Sequence, residues 1–191
     1  MHWSDEGYLL SKNNFDENSI IIDAFTLSHG KYTGIVYGGA SRKQKRNFQI
    51  GNKIFLDWKS KNENKTGYFK VELIKPISPF FFDDKKRSIC ILSATSILRI
   101  LLPERQINKN VYQSFENMLS ELSSKNWINF YIDWELSLIK ELGFENKLKV
   151  NLNKDTRKSL TFNRNLLMEN FIIPNRLKFP LYRNILENYF L

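Results

Sequence analysis

Two prolines divide this chain by the period of its apolar residues, and no other feature constrains the fold as much. Before Pro76 and Pro79 the apolar residues come in short runs that alternate with polar ones. After them they recur at spacings of three and four. The first pattern suits strands, whose side chains point to opposite faces in turn, and the second suits helices of 3.6 residues per turn. Strands followed by helices read as an α+β protein with the two kinds of element segregated.

The sequence predicts five strands, at Gly7 to Ser11, Ser19 to Thr26, Lys31 to Tyr37, Lys53 to Lys59 and Gly67 to Lys75. Turn formers separate them: Asn13-Asn14, His29-Gly30, Gly38-Gly39, Gly51-Asn52 and Asn62-Glu63-Asn64. In the fifth, Phe69, Val71 and Leu73 alternate with Tyr68, Lys70 and Glu72, as in a half-buried antiparallel strand. Five short strands with a basic loop between the third and fourth suit a small OB-type β-barrel, a shape often used to hold oligonucleotides. Helices are expected from Asp84 to Leu102, stopped by Pro103; from Asn108, with Val111, Phe115, Met118, Leu119 and Leu122 on one side; and from Asn126. Trp127, Phe130, Tyr131, Trp134, Leu138 and Leu142 form the stripe of this third helix, which ends at Gly143. Glu145 to Lys158 is polar and reads as a loop. Ser159 to Ile172, with Ser159 as cap, and Pro180 to Phe190, with Pro180 at the first position, complete an all-helical part. The expected division is a nucleic-acid-binding barrel over 1–78 and a helical domain over 79–191.

Composition narrows the chemistry. The longest stretch without a charge, Ser88 to Leu98, is far shorter than the roughly 20 apolar residues of a membrane span. The acidic start at Asp5-Glu6 lacks the features of a signal peptide, so a cytoplasmic protein is expected. Cys90 is the single cysteine and His2 and His29 are the only histidines, which excludes an intramolecular disulfide and leaves too few ligands for a structural zinc site. No metal and no cofactor are expected. His29, beside Gly30, reads as a turn residue, and Cys90, in Ile89-Cys90-Ile91-Leu92, as a small buried hydrophobe. The adjacent acids Asp5-Glu6, Asp16-Glu17 and Asp83-Asp84 read as turn and cap residues, not as an acid/base pair. Gly34 to Gly39 has the glycine spacing of a phosphate loop, but Ala40-Ser41 follow where Lys and Ser/Thr are needed. Nothing here builds an active site.

The chain carries 29 Lys and Arg against 20 Asp and Glu, a formal charge of +9, and the excess is concentrated. Between Asp23 and Asp57 there is no acid at all, yet the stretch holds Lys31, Arg42, Lys43, Lys45, Arg46 and Lys53. The cations of Arg42-Lys43-Gln44-Lys45-Arg46 repel one another unless they are solvated or face an anion. Beside a predicted OB-type sheet, with Tyr32 and Tyr37 close by, they have the ingredients of phosphate attraction and base stacking. The candidate DNA-binding residues are therefore Lys31, Tyr32, Tyr37, Arg42, Lys43, Lys45 and Arg46, with Lys59, Lys61 and Lys65 extending the groove.

Several segments in register resemble one family. Trp3-Ser4-Asp5-Glu6-Gly7-Tyr8-Leu9-Leu10, the turn Thr26-Leu27-Ser28-His29-Gly30-Lys31, and Tyr37-Gly38-Gly39-Ala40-Ser41-Arg42 leading into the basic run are similar to RecO, the bacterial recombination mediators. Trp134-Glu135-Leu136-Ser137-Leu138-Ile139-Lys140-Glu141-Leu142-Gly143-Phe144 resembles the family's FE..LL..LG helix, with Trp134 in place of Phe, and Leu160 to Leu191 resembles its closing helices. The resemblance implies a cytoplasmic, nucleoid-associated protein that is not an enzyme. It implies binding of single- and double-stranded DNA, annealing of complementary strands, and loading of RecA, together with RecR, onto DNA coated by single-strand-binding protein. It also implies that the helical domain receives the acidic, Phe-ending tail of that protein; Arg99 and Arg105, flanking Ile100-Leu101-Leu102, are the candidate cations. After Gly143 the chain departs from members with a cysteine-bearing, sometimes zinc-binding, segment. The alternative class is an RNA-associated enzyme or accessory subunit with an OB-type module.

Overall fold

A computed structural model describes residues 1–41, 44, 47–62, 66–144 and 155–190. The strands are β1 (His2–Asn14), β2 (Ile20–Thr26), β3 (Gly30–Val36), β4 (Lys53–Lys59) and β5 (Gly67–Lys75). They close into a barrel in the order β1-β2-β3-β5-β4, all pairs antiparallel except the short parallel contact of β3 with β5 at Gly34/Gly67 and Ile35/Tyr68. This is the five-stranded OB arrangement.

β1 is much longer than its apolar centre predicts. Its first half pairs with β4 from His2/Lys59 to Tyr8/Lys53, its second half with β2 from Gly7/Thr26 to Asn14/Ile20, and a bulge between Leu9 and Ser11 bends it. Pairing, rather than side-chain preference, makes strands of the polar ends, because one bent strand must serve two neighbours for the barrel to close. Leu9, Ile22, Ala24, Ile54, Leu56, Trp58 and Phe69 fill the interior. At Gly67 a Cβ would run into the Trp58 indole, so this position must be glycine for β5 to come up beside β3.

Tyr8, Leu10 and Phe25 point the other way and belong to a second core shared with the helices. These are α1 (Lys85–Leu101), α2 (Lys109–Ser120), α3 (Trp127–Ile139), α4 (Thr156–Leu167) and α5 (Leu181–Asn188). Asp84 caps α1 by accepting from the Arg87 amide at 3.0 Å, and the helix stops before Pro103. Asn108 caps α2 through the Val111 amide at 3.0 Å. After α3 the chain makes a π turn over Lys140–Phe144 and turns out through Gly143 at a φ of 100°. The cap of α4 is not Ser159: Asp155 accepts from the amides of Arg157 and Lys158 at 3.0 and 3.3 Å, so the helix starts three residues earlier than expected. A carboxylate at a helix start satisfies free amides and also faces the positive end of the helix dipole. Pro180 lies one position before α5 rather than inside it.

Barrel and helices are joined by polar contacts as well as by the shared core. Glu116 of α2 accepts from the Tyr8 hydroxyl at 2.7 Å and from Lys53 at 2.9 Å, and Lys53 also meets Glu6 at 3.0 Å. Buried Asn52 accepts from the amides of Ile77 and Ser78 at 2.8 and 3.2 Å and so fixes the link out of the barrel. In the helical core Arg183 donates to Glu135 at 2.6 and 3.1 Å, to Glu187 at 3.3 Å and to the Leu160 carbonyl at 2.8 Å.

Candidate nucleic-acid interface

The wall of the barrel formed by β3, β5 and β4 carries the outward residues that the alternation of β5 predicts. Tyr68, Lys70 and Glu72 of β5 alternate with inward Phe69, Val71 and Leu73. Across β4, Lys59 is paired with Tyr68, Asp57 with Lys70 and Phe55 with Glu72. Tyr37, just past β3, and Tyr68 are 68% and 45% exposed and stand side by side, with ring centroids 6.1 Å apart and planes at 50°. Lys61 is exposed beyond the end of β4. Burial pushes the Asp57 carboxyl up, but the hydrogen bond and charge of His2 and the charges of Lys59 and Lys70 outweigh it and hold Asp57 below the usual carboxylate range.

The remaining sequence candidates divide. Arg42, Lys43, Lys45, Arg46 and Lys65 lie outside the described residues. Lys31 does not extend from the barrel: its ammonium donates to the Arg99 carbonyl at the end of α1 at 2.7 Å, and its backbone carbonyl accepts from the Arg105 amide at 2.8 Å. Burial lowers its pKa, partly offset by the charges of Glu104 and Asp23. Tyr32 is half-buried and turned into the barrel mouth, edge-on to Trp3 at 5.0 Å and Trp58 at 5.3 Å, with the Arg105 guanidinium 5.4 Å from its ring. The reason is strand phase: Tyr32 shares the inward side of β3 with Val36.

Arg99 and Arg105 also face the barrel. Arg99 binds Asp23 at 2.8 Å, and Asp23 in turn accepts from Ser11 and Thr33, each at 2.6 Å. On a helix of 3.6 residues per turn, Arg99 lies about 160° around the axis from Ile97 and Leu101 and about 100° from Ile100. Those three line an apolar groove with Leu167, Ile172, Phe179 and Pro180. One cation beside that groove is Arg164, 4.5 Å from the Phe179 ring and paired with Glu187 at 3.1 Å. Sequence reasoning missed Arg164 because its helix begins just after a polar loop and nothing local ties it to Phe179. Tyr68 was more accessible to inference, as a large aromatic in the solvent phase of a strand.

His29 lies flat on Trp3, with centroids 4.1 Å apart and planes at 8°, and bonds Asp5 at 3.0 Å. Asp5 also accepts from the Ser28 amide at 2.7 Å, so it is a strand residue that ties down the β2–β3 turn. Asp16 and Asp84 hold a turn and a helix cap, as expected. Cys90 is buried, and burial pushes its thiol well up. Among the described residues no three His, Cys, Asp or Glu side chains gather into a metal site, and no helix is long and apolar enough to cross a membrane.

The family profile for the recombination protein O N terminal matches residues 1–77, and that for its C terminal matches residues 83–160. The chain is similar to the DNA repair protein RecO of Cereibacter sphaeroides, with 36% identity over 145 residues, 75% of this chain and 60% of the relative. It is similar to that of Hyphomonas neptunium, with 35% identity over 147 residues and the same two shares. For that of Wolbachia sp. subsp. Drosophila simulans the identity is 33% over 147 residues, 76% of this chain and 60% of the relative. The matched stretch thus spans 60% of the length of these curated relatives.

Proposed function

Since this chain belongs to the RecO family, we propose that it acts in DNA repair and recombination as a non-enzymatic mediator. It binds single- and double-stranded DNA, anneals complementary strands, and acts with RecR to load RecA onto DNA coated by single-strand-binding protein. The observation that carries the reading is the match of both family profiles, one to the closed OB barrel and one to the helices packed on it. Physical support comes from the charge: +9 overall, with an acid-free stretch from Asp23 to Asp57. Lys and Arg side chains that replace condensed counterions draw any nucleic acid backbone, and annealing requires the neutralisation of two strands that otherwise repel. Arg42, Lys43, Lys45 and Arg46 supply most of that attraction, and Tyr37 offers a ring to a base.

For the tail of single-strand-binding protein, the shallow groove lined by Ile100, Leu101 and Phe179 has the apolar character an aromatic end needs, and Arg164 is a cation beside it. Arg99 and Arg105 point to the barrel side, whereas Arg164 stands at the groove itself, where a peptide carboxylate would compete with Glu187 for it. The deciding experiment is annealing of complementary oligonucleotides without nucleotide or metal. A mediator accelerates it; an RNA-associated enzyme of the alternative class does not.

A further inference from the structure

We propose that Tyr37 and Tyr68 form a stacking platform for unpaired bases, which makes the outer face of β3 and β5 a site for single-stranded nucleic acid and not for duplex. The inference rests on the DNA-binding reading above and adds which strand state this face selects.

The two rings come from distant parts of the sequence and meet only because β3 and β5 run side by side through the Gly34/Gly67 pair. Neither ring helps to fill the barrel, whose interior at this end is occupied by Trp58 and Phe69. They are two large aromatic surfaces left in water, 68% and 45% exposed, on a wall that needs neither for folding. Their centroids are 6.1 Å apart with planes at 50°. A base sandwiched between parallel rings needs about 6.8 Å, twice the base-to-base rise of roughly 3.4 Å. The pair is therefore not a slot for one base. It is an angled platform on which successive bases of one strand rest, each on its own ring. Stacking of this kind is indifferent to base identity, because every base has a π face.

The surrounding charge fits a polyanion. Lys59 is the cross-strand neighbour of Tyr68, Lys70 follows two residues along the same face, and Lys61 lies beyond the strand end. Among the described residues the acids on this face are Asp57, held by His2 and Lys59, and Glu72, about 13 Å from Tyr68 along β5 at the usual strand rise. In a duplex the base faces are covered by their neighbours in the stack and only phosphates and groove edges remain. Duplex can use the lysines but not the rings.

The test uses the full chain and measures affinity for an oligothymidylate and for a hairpin duplex of mixed sequence over a range of salt. Wild type is compared with Tyr37→Leu/Tyr68→Leu, which keeps apolar bulk and removes the rings, and with Tyr37→Phe/Tyr68→Phe, which keeps the rings. The Leu variant should lose about five- to a hundred-fold in single-strand affinity and less than about twofold in duplex affinity. Its single-strand salt slope should be unchanged, because no charge is removed. The Phe variant should bind like wild type. A Leu variant that keeps its single-strand affinity, or loses single strand and duplex alike, overturns the platform while leaving the DNA-binding reading in place. Wild type that binds neither probe overturns that reading itself before any variant is compared.

Discussion

Arg183 has no exposed surface because its Nε and both terminal nitrogens find oxygens on Glu135, Glu187 and the Leu160 carbonyl. Tyr131 donates to the same Glu135 oxygen at 2.9 Å and meets Ser93 at 2.7 Å, so the network ties α1, α3 and α5 together. Removing one partner leaves a buried charge alone, and Arg183→Ala or Glu135→Ala should lower stability by about 3–5 kcal/mol. Arg183→Met with Glu135→Leu should lie closer to wild type than either single variant in a denaturant titration, since neither charge then remains. None of this was legible in the sequence, where Glu135 sits in an otherwise apolar stripe and nothing marks Arg183 as its partner. Glu116 gives a pH prediction. Burial raises its pKa, but the bonds from Lys53 and Tyr8 and the charge of Lys53 outweigh this and lower it. A lowered carboxyl pKa stabilises the fold above the unfolded value, about 4.3, and the contribution is lost as pH falls through the folded value. Glu116→Gln should therefore be less stable than wild type at pH 7, and the gap should shrink as pH drops from about 4.3. A gap independent of pH would show that charge is not what Glu116 contributes.

At the scale of elements, apolar composition, turn formers and helical spacing located the five strands and five α-helices of the described residues, and the errors came from pairing and capping. β1 read as Gly7 to Ser11 because only its centre is apolar, whereas its polar ends are held by two neighbours. The start of α4 was misplaced because Asp155 follows a polar run in which one Asp looks like any other. Lys31, Arg99 and Arg105 carry the charge of a ligand site but serve the junction of β3 with the end of α1, a contact between segments far apart in the chain. Gly30 is the pivot of that junction. Its φ is 77°, and a Cβ there would strike the backbone of Gln106. Gly30→Ala should cost more than the roughly 1 kcal/mol of an ordinary glycine replacement at positive φ, because the 103–107 segment must also move. Thermal melting checks this, with Gly38→Ala as control: Gly38 has a φ of 72° but nothing within 4 Å of its would-be Cβ. Equal losses at the two glycines would mean that backbone strain, and not the close approach to Gln106, sets the cost.

For the whole molecule, the barrel is coupled to the helices through Tyr8, Leu10 and Phe25, which lie on its outer wall yet belong to the helical core. The β1–β2 wall is covered in this way, and the β3–β5–β4 wall keeps Tyr37, Tyr68 and their lysines in solvent. The fold thus decides which side of a basic barrel remains for a polyanion. The proposed attraction is electrostatic and centred on residues 42–46. The most direct measurement is the slope of log affinity against log salt for single-stranded DNA, in wild type and in a variant with Arg42, Lys43, Lys45 and Arg46 replaced by Ala. Each phosphate contact on a single strand contributes about 0.7 to the slope, so the four replacements should weaken binding and flatten it by roughly 3. A variant that binds as tightly as wild type with an unchanged slope would rule out an electrostatic site at residues 42–46.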